Sequence, residues 1–215
     1  MAETGGETVT EKPIFFLPEM VKAILDGRKT QTRRIVKPQP AQPMAGGVGI
    51  SWTWFGDRGV FVPNGSLFGL TTAEKMGIHC PYGVPGDRLW VRERWGIHQC
   101  GCRVSLKAEA WPEGWPLKRL YYTADGDSNP GFSDRSSLFM PRWASRLTLE
   151  LTDVRVERVQ EISDQDALAE GMIECMDVTP RDSFSYLWDQ IHVKDGYHWD
   201  SNPWVWCLSF KVVQP

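Results

Sequence analysis

The sequence lacks most of the features that would settle a function by themselves. Its 215 residues hold five cysteines, an odd number at positions 80, 100, 102, 175 and 207, which speaks against a disulfide framework. No apolar run approaches the roughly 20 residues of a membrane span. The start, Met1 to Lys12, is polar and acidic with no apolar leader core, so a cytoplasmic location without a membrane partner is expected. Walker A, Gly-x-Gly-x-x-Gly and Gly-x-Ser-x-Gly patterns are all absent, which excludes P-loop nucleotide hydrolysis, Rossmann dinucleotide binding and the α/β-hydrolase elbow. There is no internal repeat. Nor is there a charge excess: Lys+Arg 24 against Asp+Glu 27 gives a net −3, which rules out a globally basic nucleic-acid clamp.

What the chain does have is aromatic bulk and local order. Hydrophobic residues make up 41% and charged residues 24%, enough for a real core, and eleven tryptophans stand out. Residues 1–12 read as a loose tail ahead of one domain, 13–215. Ile14–Leu17 is a short apolar strand stopped by Pro18. Met20, Val21, Ile24 and Leu25 then follow helical spacing, with proline at the start and Gly27 just past the end. Thr30–Val36 is β-branched and extended. Two stretches without lasting periodicity, about 38–79 and 98–140, read as long loop insertions, the first with a small hairpin around Trp52–Val62 and the second with one strand at Leu120–Thr123 and a polar loop at Asp125–Ser137. Arg88–Glu93 is a strand. From Leu147 the apolar alternation slips near Thr152-Asp153, the mark of a bulge in a long strand. Ser163 with Asp166, and Thr179 with Asp182, make capping boxes for two further helices. The last strand alternates Trp204, Trp206, Leu208, Phe210 and Val212 on one face. Five or six strands with three short helices, and no βαβ alternation, predict an α+β fold: a small mixed β-barrel with short flanking helices.

Charge is distributed unevenly. Between Lys22 and Lys37 lie six basic residues and one acid, while Glu150–Glu170 holds seven acids and two arginines. A basic stretch holding a helix end, a turn and a strand can receive phosphate or a polar base, or it can be a solvated face that pairs with the acidic one. Within it, Gly27-Arg28-Lys29-Thr30-Gln31-Thr32-Arg33-Arg34 puts Thr30, Thr32 and Arg34 on one strand face, with Lys29 at its mouth.

This segment resembles the signature of the ASCH family, Gly-x-Lys-x-x-x-x-Arg, filled here by Gly27, Lys29 and Arg34. Gly86-Asp87-x-Leu89-x-Val91, the strand Leu149–Arg158, the helix Asp164–Gly171 and the closing strand with Phe210-Lys211 also resemble ASCH elements, in the family's order and over roughly half the chain. The segments Leu89-Trp90-Val91-Arg92-Glu93 and Met140–Ser145 are similar to larger phage and prophage members. The resemblance implies a PUA-like barrel, and it implies one of two functions. The first is a metal-independent, cofactor-free amidohydrolase that removes the acetyl group from N(4)-acetylcytidine, with Lys29, Thr32 and Glu170 as the catalytic set. Here Lys29 would be the base that activates the Thr32 hydroxyl, Glu170 would orient the lysine or relay a proton, and Arg28, Arg33, Arg34 and Thr30 would hold the substrate. The second is a module that binds RNA or modified nucleic acid without turnover. On residue type alone, Lys29 and Thr32 read equally as an exposed lysine and a strand threonine, and Glu170 as a solvated last-turn residue.

Two rival signals remain. His79-Cys80 and His98-Gln99-Cys100-Gly101-Cys102 gather soft ligands within 24 residues, but Cys-x-Cys is not the usual zinc-knuckle spacing, so no metal is expected. His192 and His198 lack a serine or aspartate at a recognisable spacing and read as structural or loop residues. Trp90, Trp204 and Trp206 read as core; Trp52, Trp54, Trp111 and Trp115 are candidates for a lid or stacking surface.

Overall fold

The computed structural model describes residues 9–39, 52–55, 60–63, 78–98, 120–126 and 132–213, with backbone alone at 52–55, 60–63, 78, 98, 132 and 133. Trp111, Trp115, Cys100 and Cys102, and the side chains of Trp52, Trp54 and His98, lie outside these described residues.

The first strand, β1 (Glu11–Phe15), ends where Pro18 begins α1 (Pro18–Leu25). Proline suits that first turn because its missing N–H would have had no helical partner. Gly27 closes the helix at φ +74, in the left-handed region that glycine enters without cost. The N–H groups of Arg28 and Lys29 both turn back to the Ala23 carbonyl, at 2.9 and 3.0 Å. The chain then passes directly into β2 (Gln31–Ile35).

Three sheets follow. β3 (Trp52–Phe55), β4 (Val60–Pro63) and β5 (Ile78–His79) form one three-stranded sheet, which contains the expected hairpin. β6 (Arg88–Arg92) joins the main sheet. β7 (Trp95–His98) is flanked by β8 (Leu120–Tyr122) and β9 (Phe132–Arg135) in a second small sheet. The stretch read as an irregular insertion with a polar loop at 125–137 thus supplies paired strands. β8 matches the strand expected at Leu120–Thr123, whereas β7 and β9, four residues each and stabilised by partners distant in sequence, carry no local periodicity that would reveal them. β10 (Thr148–Arg158) runs antiparallel to β11 (Trp204–Val213), and its register shifts between Leu151 and Asp153, as the slipped alternation predicts. The N-cap half of both expected capping boxes forms: Ser163 and Thr179 accept from the Asp166 and Asp182 amides ahead of α2 (Asp164–Ala169) and α3 (Pro180–His192).

The main sheet has the order β1-β6-β10-β11-β2, with β1 parallel to β6 and the other pairs antiparallel. The mixed α+β class is as expected, but the closed barrel is not: no backbone ladder joins the edge strands β1 and β2. Flat, those edges would stand about 19 Å apart at ~4.8 Å per strand. Instead the sheet curls until the Arg34 guanidinium on β2 donates to the Phe15 carbonyl at the end of β1. A side chain bridges the seam that backbone hydrogen bonds leave open.

Alternation along β11 sends residues to two cores. Trp204, Trp206, Leu208 and Phe210 enter the trough with Ile14, Leu89 and Leu149, while Val205 packs with Phe184 and Trp188 of α3 and Ala167 of α2. Trp90, Trp204 and Trp206 are buried, as read from sequence. Truncating Trp206 to alanine is expected to cost about 3–5 kcal/mol through lost burial and an unfilled cavity; a urea titration showing less than about 1 kcal/mol would contradict its placement.

Candidate functional site

Lys29 leaves the turn after α1 pointing into the protein and is only 1% exposed. Its Nζ donates to Glu170 Oε2 at 2.5 Å and to the Glu170 carbonyl at 2.8 Å. Glu170 sits at the end of α2, where the next residue, Gly171, has φ +95. A Cβ at position 171 would lie 3.1 Å from Ala23 Cβ and 3.3 Å from Lys29 Cβ, so the small residue lets the end of α2 approach α1 closely enough for the pair to form. The Thr30 amide fixes the same junction by donating to the Ala169 carbonyl at 2.8 Å.

Arg33 points inward as well and is 4% exposed. Its guanidinium reaches Glu157 at 2.5 Å, Asp166 at 3.2 Å and the second oxygen of Glu170 at 3.4 Å, and also donates to Gln31 Oε1 at 2.6 Å. Arg155 joins from β10, contacting Glu157 at 3.0 Å and Asp166 at 3.1 Å. Cys207 Sγ lies 3.4 Å from both Gln31 Oε1 and Glu157 Oε1, its thiol pushed up by burial. The basic and acidic stretches of the sequence therefore meet inside the protein rather than across solvated faces. Such a network persists only because each buried charge has partners; removing one leaves the others uncompensated.

Burial lowers the Lys29 pKa, opposed by the Glu170 carboxylate and reinforced by the nearby Arg34 and Arg33 cations. A lysine easier to deprotonate than usual, held against a carboxylate, is a pair that can move a proton.

Beside this network is a hollow of about 40 Å³, lined by Thr32, Arg33, Arg34 and Glu170 on one side and by Phe184, Leu187, Trp188, Ile191 and His192 of α3 on the other. Thr32 Oγ1 makes no hydrogen bond among the described residues. Two of the lining side chains carry buried nitrogens without partners, Arg34 Nε and His192 Nδ1. The structure thus brings Thr32, Arg34 and Glu170 to one cavity, with Lys29 behind Glu170. Arg28 and Thr30 stand apart from it, both exposed; Arg28 pairs with Asp26 at 3.1 Å and donates to the Gly171 carbonyl. His192, read from sequence as a structural or loop residue, also lines this hollow. A lone histidine near a helix end has no spacing signal, and only the packing of α3 over β2 reveals it. A larger open groove of about 560 Å³ lies between α1 and residues 123–126 but contains none of these groups. Among the described residues no group of three or more His, Cys, Asp or Glu is arranged to hold a metal ion, and no helix is long and apolar enough to cross a membrane.

No protein-family model matches the chain, and no curated protein matches it in sequence. Among solved structures it is similar to protein EF3133 from Enterococcus faecalis V583, described as DUF984, at 9% identity and a TM-score of 0.40 over 96% of this chain and 81% of that one.

Arg33→Ala is expected to lower stability by about 3–5 kcal/mol, because Glu157 and Glu170 lose their buried cation; an unchanged denaturant midpoint would refute the network. A second expectation concerns acid. Burial alone would raise the Asp166 pKa, but Arg33, Arg155 and Gln31 outweigh it and hold the carboxyl below its ordinary range. A depressed carboxyl contributes stability above its unfolded pKa of about 4, and that contribution is lost as pH falls through the folded value. Asp166→Asn should therefore flatten the loss of stability below about pH 4 in urea melts compared with the wild-type protein.

Proposed function

We propose that the chain is an amidohydrolase of the ASCH type, acting on an acylated cytosine nucleoside such as N(4)-acetylcytidine through Lys29, Thr32 and Glu170. The observation that carries this is the buried Lys29–Glu170 contact, 141 positions apart in sequence, ending at a hollow that also presents the unpartnered Thr32 hydroxyl.

The chemistry follows from that placement. A threonine hydroxyl is a weak nucleophile and needs a proton acceptor. Glu170 is the member of the pair that reaches the hollow, so the pair takes the proton there while Thr32 Oγ1 bonds to the acetyl carbon. Arg34, on the same strand face as Thr32, offers its unpartnered Nε–H to the developing oxyanion. Breaking the C–N(4) bond returns a proton to the leaving amine and frees cytidine. Water then cleaves the acetyl–Thr32 ester, releasing acetate and restoring the hydroxyl. The hollow is far smaller than the roughly 300–1,000 Å³ of a ligand pocket, so a nucleoside enters only with displacement of the α3 side chains that cover it.

Backbone tracking of RNA draws less support, since Lys29 and Arg33 are enclosed and paired with acids while Arg28 already has Asp26. The test is release of cytidine from N(4)-acetylcytidine, followed by chromatography. Thr32→Ala and Lys29→Ala are each expected to lower kcat/KM by at least about 10³-fold, the scale of losing a nucleophile or its activating group. Absence of cytidine with the wild-type protein would overturn hydrolysis, and retention of RNA by that inactive protein would favour the binding module.

A further inference from the structure

The acceptor nitrogen on the α3 side of the hollow has no role in the reaction above. His192 closes the last turn of α3, its ring 4.2 Å from that of Trp188, and lines the same cavity as Thr32 and Arg34. Its Nδ1 is buried and without a partner, as is Arg34 Nε. Both belong to side chains that line one small cavity, and buried polar atoms left unsatisfied are costly unless something else completes them. The two are also complementary: Arg34 Nε–H can only donate, whereas a neutral imidazole has one ring nitrogen that accepts.

We propose that His192 is a specificity-determining residue that accepts the N–H of a secondary amide whose carbonyl oxygen is taken by Arg34, so that the hollow selects N-monosubstituted amides. This rests on the amidohydrolase reading and sharpens it. An acylated exocyclic amine of cytosine presents that donor beside that acceptor; an ester or a tertiary amide does not. The ring is kept in its accepting form by its surroundings. Burial disfavours the imidazolium, Arg34 of β2 and Lys37 just beyond it add repulsion, and Asp195 in the turn after α3 opposes them without prevailing. With Nδ1 buried, the single proton of the neutral ring is better placed on Nε2.

Three measurements test this. His192→Phe keeps a ring against Trp188 and removes the acceptor, while His192→Gln restores an acceptor without the ring. The expected result is that KM for N(4)-acetylcytidine rises about tenfold in His192→Phe, the cost of leaving one buried donor of the ligand unpaired. Its kcat should stay within about threefold, and His192→Gln should recover most of the loss. The third measurement needs no variant: N(4)-acetyl-N(4)-methylcytidine, which lacks the N–H, should compete for the wild-type site about tenfold more weakly than N(4)-acetylcytidine. Equal KM values for wild type and His192→Phe, or equal competition by the methylated compound, would overturn the role of His192 while leaving hydrolysis intact. A wild-type protein that neither binds nor cleaves N(4)-acetylcytidine would overturn both.

Discussion

Glu170 is held between two buried cations, and much of the structure exists to keep it there. One oxygen receives Lys29 and the other faces Arg33, so three separate pieces of chain (the turn after α1, strand β2 and the end of α2) are tied at a single carboxylate. Moving charges out of water costs several kcal/mol each, and only dense pairing offsets that loss. The surrounding features make sense in that light. Gly171 removes the side chain that would keep α2 away, the Thr30 amide ties the end of α2 to β2, and Gln31 and Arg155 satisfy the remaining oxygens of Asp166 and Glu157.

The arrangement also sets the division of labour on β2. Gln31 and Arg33 reach the acidic network, whereas Thr32 and Arg34 lie on the other strand face, a consequence of the two-residue period of a strand, and the cavity is bordered by Thr32, Arg33 and Arg34 together. One strand therefore carries both the buried network and the side chains that border the cavity. Helix α3 supplies the opposite wall, held by Phe184 and Trp188 against Val205 on the back of β11.

Local signals were legible in the sequence. Pro18 and Gly27 bracketed α1, the capping boxes at Ser163 and Thr179 marked α2 and α3, and the slipped alternation after Leu151 located the bulge in β10. Each depends on residues only a few positions apart. What escaped was set by pairing at a distance. β7 and β9 are four residues each, and β9 acquires strand geometry from β7 across 33 intervening positions. The open seam between β1 and β2 was likewise hidden, because composition cannot say whether a curled sheet closes. The charged segments misled in a more instructive way. Lys29, Arg33 and Glu170 look like solvated residues, and nothing within ten positions of any of them shows that they are mutual partners; the ordered resemblance to ASCH elements, not their own chemistry, pointed to Lys29 and Glu170 together. His192 had neither kind of signal.

Arg34 belongs to two structures at once. Its guanidinium stitches the free margins of the curled sheet through the Phe15 carbonyl, lies 5.0 Å from the centre of the Phe16 ring, and belongs to a side chain that also lines the cavity. Whatever occupies that cavity thus pulls on the same planar group that keeps the trough from springing apart, so guest and scaffold share a fastener. Evolution cannot retune the chemistry at position 34 without also loosening the hem of the sheet.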